Sequence, residues 1–218
     1  MLKNKGETTK VMASEEVKET PYTVYVDELV GEVEGSLDMT YSYNKYSIYI
    51  YNEIVSPKEY TDIFHLIRNA KSVDRIEIYI NSPGGDMDTV CSFSSCFEEC
   101  LAEVTTIVDG NADSAAFVLL CMGDVLRISE MSSMLAHNVS ISTNLRTLNN
   151  VNSYINNSKQ IYNKLLEKYC SKILTKKEIT DIIHNDAEIQ LSSEEVIKRL
   201  EETERKLNTH PDKLEKEE

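Results

Sequence analysis

Two stretches near the start alternate apolar and polar residues and are rich in Tyr, Val and Ile: YTVYVDELVGEV (22–33) and NKYSIYIY (44–51). A period of two with these residue types predicts β-strands. The period then changes. In SPKEYTDIFHLIRNAKS, Ile63, Leu66, Ile67 and Ala70 form a helical stripe, and Ser56 before Pro57 marks its start. Asp74–Ile80 reads as a short strand running into NSPGGD, followed by a helix from about Met87 to Leu101. Val104–Val108 is a further buried strand, with Gly110 making the turn and a buried apolar helix from Ala115 onward. Asp124–Ser129 and Ser133–His137 read as strands again.

Residues 146–170 carry Leu148, Val151, Tyr154, Ile155, Ile161, Leu165 and Tyr169 at near-helical spacing, a long helix with a polar middle. TKKEITDIIHN (175–185) opens on a capping box, Thr175 with Glu178. LSSEEVIKRLEETERK is the last helix, capped by Ser192 or Ser193. Strand–helix alternation through the middle predicts an α/β fold with helices flanking a sheet, joined by crossover connections.

The ends carry no such pattern. Residues 1–20 are polar and without periodicity, which predicts a flexible arm. The folded domain is expected over 21–200 and a charged, mobile tail over 201–218. No run approaches the roughly 18 apolar residues of a membrane span, and the first residues lack the apolar core of a secretory signal.

Composition narrows the chemistry. Hydrophobic residues make up 41% and charged residues 28% of 218, a globular balance. The net charge of −14 argues against nucleic acid as a partner, because phosphate binding needs a field of Lys and Arg. Five cysteines without a signal segment suggest reduced thiols and a cytoplasmic setting. Cys91, Cys96 and Cys100 miss the CxxC spacing of zinc sites and have no histidine near them in sequence, so no metal is expected. They read as small residues on a helix.

Three short segments can carry catalysis. SPGG after a strand lets the backbone take positive φ and lets a ligand approach the main chain, or it is only a tight turn. In VDGNADSAAFVLL, Ser114 falls at a helix N-terminus, where free N–H groups favour negative charge. An oxyanion formed beside it would meet the N–H of Ala115. The geometry is like a nucleophile elbow without GxSxG, and a serine N-cap is the plainer reading. Of the four histidines, His137 is the one presented at the end of an apolar strand, as a base or as a buried structural residue. An orienting carboxylate could come from Asp186 or Glu188; the alternative reading makes both simply helix-end residues.

Taken in order, IYINSPGGDM, VDGNADSAAFVLLCMGD, SSMLAHNVS and DAEIQLSSEEV resemble the Clp protease proteolytic subunit family of self-compartmentalising serine peptidases. The likeness spans roughly Ser47 to Leu200, and AHN with DAE…LSSEE looks most like divergent members encoded by phages and prophages. It implies a crotonase-like superhelix of ββα units, with 146–170 as the protruding handle helix through which rings stack. It implies Ser114 as nucleophile, His137 as general base, and the N–H groups of Gly85 and Ala115 as the oxyanion hole. The family acid maps onto Glu188 by counting back from the following Leu-Ser, with Asp186 as the alternative. The implied activity is endopeptidase cleavage of unfolded polypeptides inside a homo-oligomeric chamber without a cofactor. A Clp ATPase that feeds the chamber, or a role in phage protein processing, is implied too.

The sequence also departs from the family pattern. Asp113 stands where a small apolar residue is usual, and its charge could compete for the imidazole or repel the oxyanion. NVSISTN replaces the usual Gln-Pro and glycines after His137, and residues 1–45 match the axial loops only in part. Two other functions use the same fold: a weak or inactive scaffold subunit, and a crotonase-type enzyme acting on acyl thioesters of coenzyme A. The presence of both Ser114 and His137 favours the peptidase over either.

Overall fold

The computed structural model describes residues 20–32, 40–140 and 148–209. The arm expected over 1–20 lies outside the described residues except for Thr20, as do 33–39, 141–147 and the last part of the tail, 210–218.

The elements run β1 (Thr23–Glu32), β2 (Thr40–Ile50), a 3-10 turn (Pro57–Tyr60) into α1 (Thr61–Asn69), β3 (Arg75–Ser82) and α2 (Met87–Glu99). They continue with β4 (Glu103–Asp113), α3 (Ala115–Met122), β5 (Val125–Ile128) and β6 (Ser133–Ala136). The chain then forms α4 (Leu148–Tyr169), α5 (Lys176–Asn185), β7 (Ile189–Ser192) and α6 (Ser193–Thr209). Of the expected tail, 201–209 continue α6.

One sheet carries the order β1-β2-β3-β4-β6-β7, with β5 also pairing β4. β1 and β2 are antiparallel, β2 to β4 are parallel, and β7 returns antiparallel to β6. This is the mixed α/β arrangement expected of the crotonase-like fold. Along β3, Ile76, Ile78 and Ile80 point into the core, the alternation a half-covered strand requires. Tyr60, Phe64 and Phe93 meet edge-on or tilted beneath the sheet, with centroids 5.0–6.2 Å apart. Every residue of α3 is buried, so this helix is the centre of the core.

Three local features differ from the sequence reading. Gly110 does not end β4, which runs on to Asp113. The register against β3 slips between Ile80–Val108 and Ser82–Ala112, so β4 bulges where Gly110 sits. A Cβ at Gly110 would lie 2.4 Å from the Asn81 Oδ1, which explains the glycine without a turn. β7 was not anticipated, because its four residues are too few for periodicity to register. The first helix opens as a 3-10 turn, and Ser56 makes no side-chain cap.

α4 is anchored at one end only. Tyr162, Leu165 and Leu166 are buried, whereas no residue from Asn150 to Ile161 is. Its first half therefore stands away from the core.

Candidate active site

The bulge in β4 delivers the chain to β6. Asn111, Ala112 and Asp113 pair with Ser133, Met134 and Leu135. Ser114 is the next residue, and its N–H donates to Leu135 O at 2.8 Å. Its φ of 56° and ψ of −121° make a sharp corner between strand and helix. For a residue other than glycine this costs of order 1–3 kcal/mol. Ser114 O accepts from Phe117 N and Val118 N at 3.1 and 3.3 Å, so the residue does start α3. Its side chain, however, makes no capping bond. The hydroxyl is left for something other than the helix.

The double glycine lies against this corner. Gly84 and Gly85 have φ of 94° and 142°. A Cβ on Gly84 would sit 2.5 Å from Asp113 O, 2.8 Å from Ser114 Cβ and 2.9 Å from Ala115 N. SPGG is therefore more than a turn: it brings one backbone onto another beside Ser114. Gly85 is fixed by pairing with Ile54, through Ile54 N to Gly84 O at 2.8 Å and Asp86 N to Ile54 O at 2.7 Å. Gly84 N is taken by Ser82 Oγ at 3.1 Å. The Gly85 N–H between them takes no acceptor among the described residues. Ala115, first in α3, has no acceptor in its own helix either.

His137 follows directly on β6, two residues beyond the carbonyl that holds Ser114. Tyr162 of α4 donates its hydroxyl to His137 O, pinning the backbone there. Nδ1 lies 2.6 Å from Asn138 O. Ser114 and His137 share no hydrogen bond in this state; the β4–β6 pairing is what brings them together.

The two candidate acids are placed differently. β6 pairs Ala136 with Ile189, so one further step of the same register sets Glu188 across from His137. Glu188 is exposed, and its carboxylate makes no hydrogen bond or ion pair among the described residues. Asp186, in the left-handed region at φ 50°, accepts from Asn138 Nδ2 at 2.5 Å. Neither carboxylate bonds His137. Asp113, partly buried on the other flank, does feel the imidazole. Burial pushes its carboxyl above the usual carboxylate range, against the pull of His137 and the Leu135 N–H.

A cavity of about 240 Å³ opens from Gly85. One wall is the start of α2, with Asp86, Met87 and Asp88; the other is α4, with Tyr154, Ile161 and Tyr162. Both carboxylates, after burial, push the Cys91 thiol up. Asn138, Tyr162 and Ile54 escaped the sequence reading. Tyr162 fits the α4 period, but Ile54 acts through backbone pairing and Asn138 through its side-chain amide, and neither carries a local signal. Among the described residues no group of His, Cys, Asp or Glu could hold a metal ion, and no helix is long and apolar enough to cross a membrane.

A family model of Clp protease matches residues 34–202, which includes every residue of this site. The chain belongs to the Clp protease family. Among solved structures, a peptidase from Plasmodium falciparum is similar, with a TM-score of 0.58 and 15% identity. The match covers 71% of this chain and 91% of that one, and at such identity it speaks for the shared fold. No curated protein sequence matches the chain. In this Clp protease family member the glycine pair, the strained Ser114 corner and the histidine after β6 all lie within the matched residues.

Proposed function

We propose that this protein is a serine endopeptidase. Ser114 is the nucleophile, His137 the general base, and the N–H groups of Gly85 and Ala115 the oxyanion hole. The supporting observation is the Ser114 corner: a strained backbone, an unused hydroxyl, and direct contact with the double glycine. Such strain persists only where the surroundings enforce it, and it lifts the hydroxyl off the helix. His137 Nε2 takes the Ser114 proton as Oγ attacks a peptide carbonyl, and the proton then goes to the leaving amine. Water hydrolyses the acyl-enzyme by the same route. Serine–histidine bonds in free enzymes are often long and tighten on substrate. The acid belongs to the segment Asp186–Glu188.

The cavity at Gly85 receives a substrate side chain, and the substrates are unfolded polypeptides. Copies of the chain assemble through α4 into a chamber, and folded substrates would need a Clp-type ATPase as a feeder. A cytoplasmic setting suits the free thiols.

Labelling with a fluorophosphonate tests the activity. The expected adduct maps to Ser114, is abolished in Ser114→Ala and falls at least about 100-fold in rate in His137→Ala. A correctly folded protein that takes no label would instead be a scaffold subunit. Coenzyme A binding without label would favour the thioester enzyme.

A further inference from the structure

His137 is held by a carbonyl, not a carboxylate. Asn138 O can only accept, so the 2.6 Å contact requires the proton to sit on Nδ1. In the neutral ring Nε2 is then the nitrogen with the lone pair, the form a general base needs. The Asn138 side chain is itself tied on both sides. Its Oδ1 accepts from Val139 N at 2.8 Å, and its Nδ2 donates to Asp186 Oδ1 at 2.5 Å. An N–H on one side and a carboxylate on the other permit one orientation of the amide.

Asp186 occupies an unfavourable place for its charge. It ends α5 in the left-handed conformation, with its N–H on Asp181 O. Glycine or asparagine suits that position better, and the helix dipole disfavours an anion there. The carboxylate's hydrogen bond is the one to Asn138.

We propose that Asp186 is a positioning residue that sets the His137 tautomer through Asn138, in the order Asp186 carboxylate, Asn138 amide, Asn138 carbonyl, His137 Nδ1–H. Glu188, across the extended register but without a bond to His137, is not needed for this. The inference rests on the peptidase reading for its kinetic consequence but not for the tautomer itself.

Two measurements on the full chain test it. Nitrogen NMR of labelled histidines, with His137 assigned by its absence in His137→Ala, reads the tautomer without any activity. Steady-state hydrolysis of an activated acyl ester reads the consequence. Asp186→Gly keeps the left-handed backbone and removes the carboxylate; Asn138→Ala removes the other half of the tie. Both are expected to mix the tautomers and lower kcat about 10- to 100-fold with little change in KM. Asp186→Asn, which retains an acceptor, and Glu188→Gln are both expected to keep the wild-type His137 tautomer. If Glu188→Gln mixes the tautomers while Asp186→Gly and Asn138→Ala do not, the relay is wrong and Glu188 is the orienting group. Wild-type protein without esterase activity would overturn the peptidase reading alone, since the NMR result still decides the relay.

Discussion

At Gly84 there is no room for a methyl group. The atoms it would strike are Asp113 O, Ser114 Cβ and Ala115 N, all backbone or rigidly attached to it, so no side-chain rotation relieves the clash. Gly84→Ala should therefore cost on the order of 3 kcal/mol in urea denaturation, adding positive-φ strain to overpacking. It should also slow fluorophosphonate labelling, because the proposed nucleophile is displaced. Unchanged labelling in a destabilised variant would mean that the glycine serves folding only. Asp113 on the same corner is a separate matter. Burial raises its folded pKa above the unfolded value of about 4, so ionisation opposes folding. At pH 3 the carboxyl is protonated in both states and contributes nothing. As pH rises through the folded value, a charge has to be kept in a half-buried place and stability falls. Asp113→Asn should raise the urea midpoint at pH 7 and leave it unchanged at pH 3; an equal gain at both would rule out ionisation as the cause.

Between elements, Arg199 of α6 is the clasp. It donates two bonds of 2.9 Å to the carboxylate of Glu178 and one of 3.1 Å to Ile173 O, and it reaches Glu195 at 2.5 Å. Glu178 at the same time closes the capping box of α5 with Thr175. Burial pushes this carboxyl up, but Arg199 and Thr175 outweigh it and hold it below its ordinary value. Arg199→Ala should lower stability by about 1–2 kcal/mol at neutral pH. A depressed pKa contributes above the unfolded value, near 4.3, and its benefit goes as pH falls through the folded one. The variant should thus approach wild type at pH 3. The capping box was legible in the sequence because all its signals lie within four positions. The partner of Glu178 was not, since Arg199 meets it only after α5 and α6 pack. The same division runs through the candidate site. Ser114 and the glycines announce themselves by local backbone chemistry. The Gly110 bulge, β7 and the Asn138–Asp186 tie arise from register between distant segments, which a linear pattern does not encode.

At the scale of the whole molecule, the first half of α4 buries no side chain among the described residues. From Asn150 to Ile161, α4 buries no residue, and its outward positions Asn152, Asn156, Lys159 and Gln160 are polar. Isolated helices of about 12 residues are marginal in water even with good helix formers, and asparagine is a poor one. In the proposed chamber, contact with the same helix in another copy would supply the missing support, and polar faces suit an interface that can separate. The net charge of −14 opposes such contact over long distances, so salt should favour it. Sedimentation at micromolar concentration is expected to give a multiple of the single-chain mass, rising with ionic strength. Asn156→Pro breaks the helix at a cost of about 3 kcal/mol locally, without touching Tyr162, Leu165 or Leu166. That variant should sediment as a smaller species and keep its cooperative unfolding. Assembly as in wild type would show that copies meet elsewhere, and a monomeric wild type would leave α4 standing by the propensity of its own sequence.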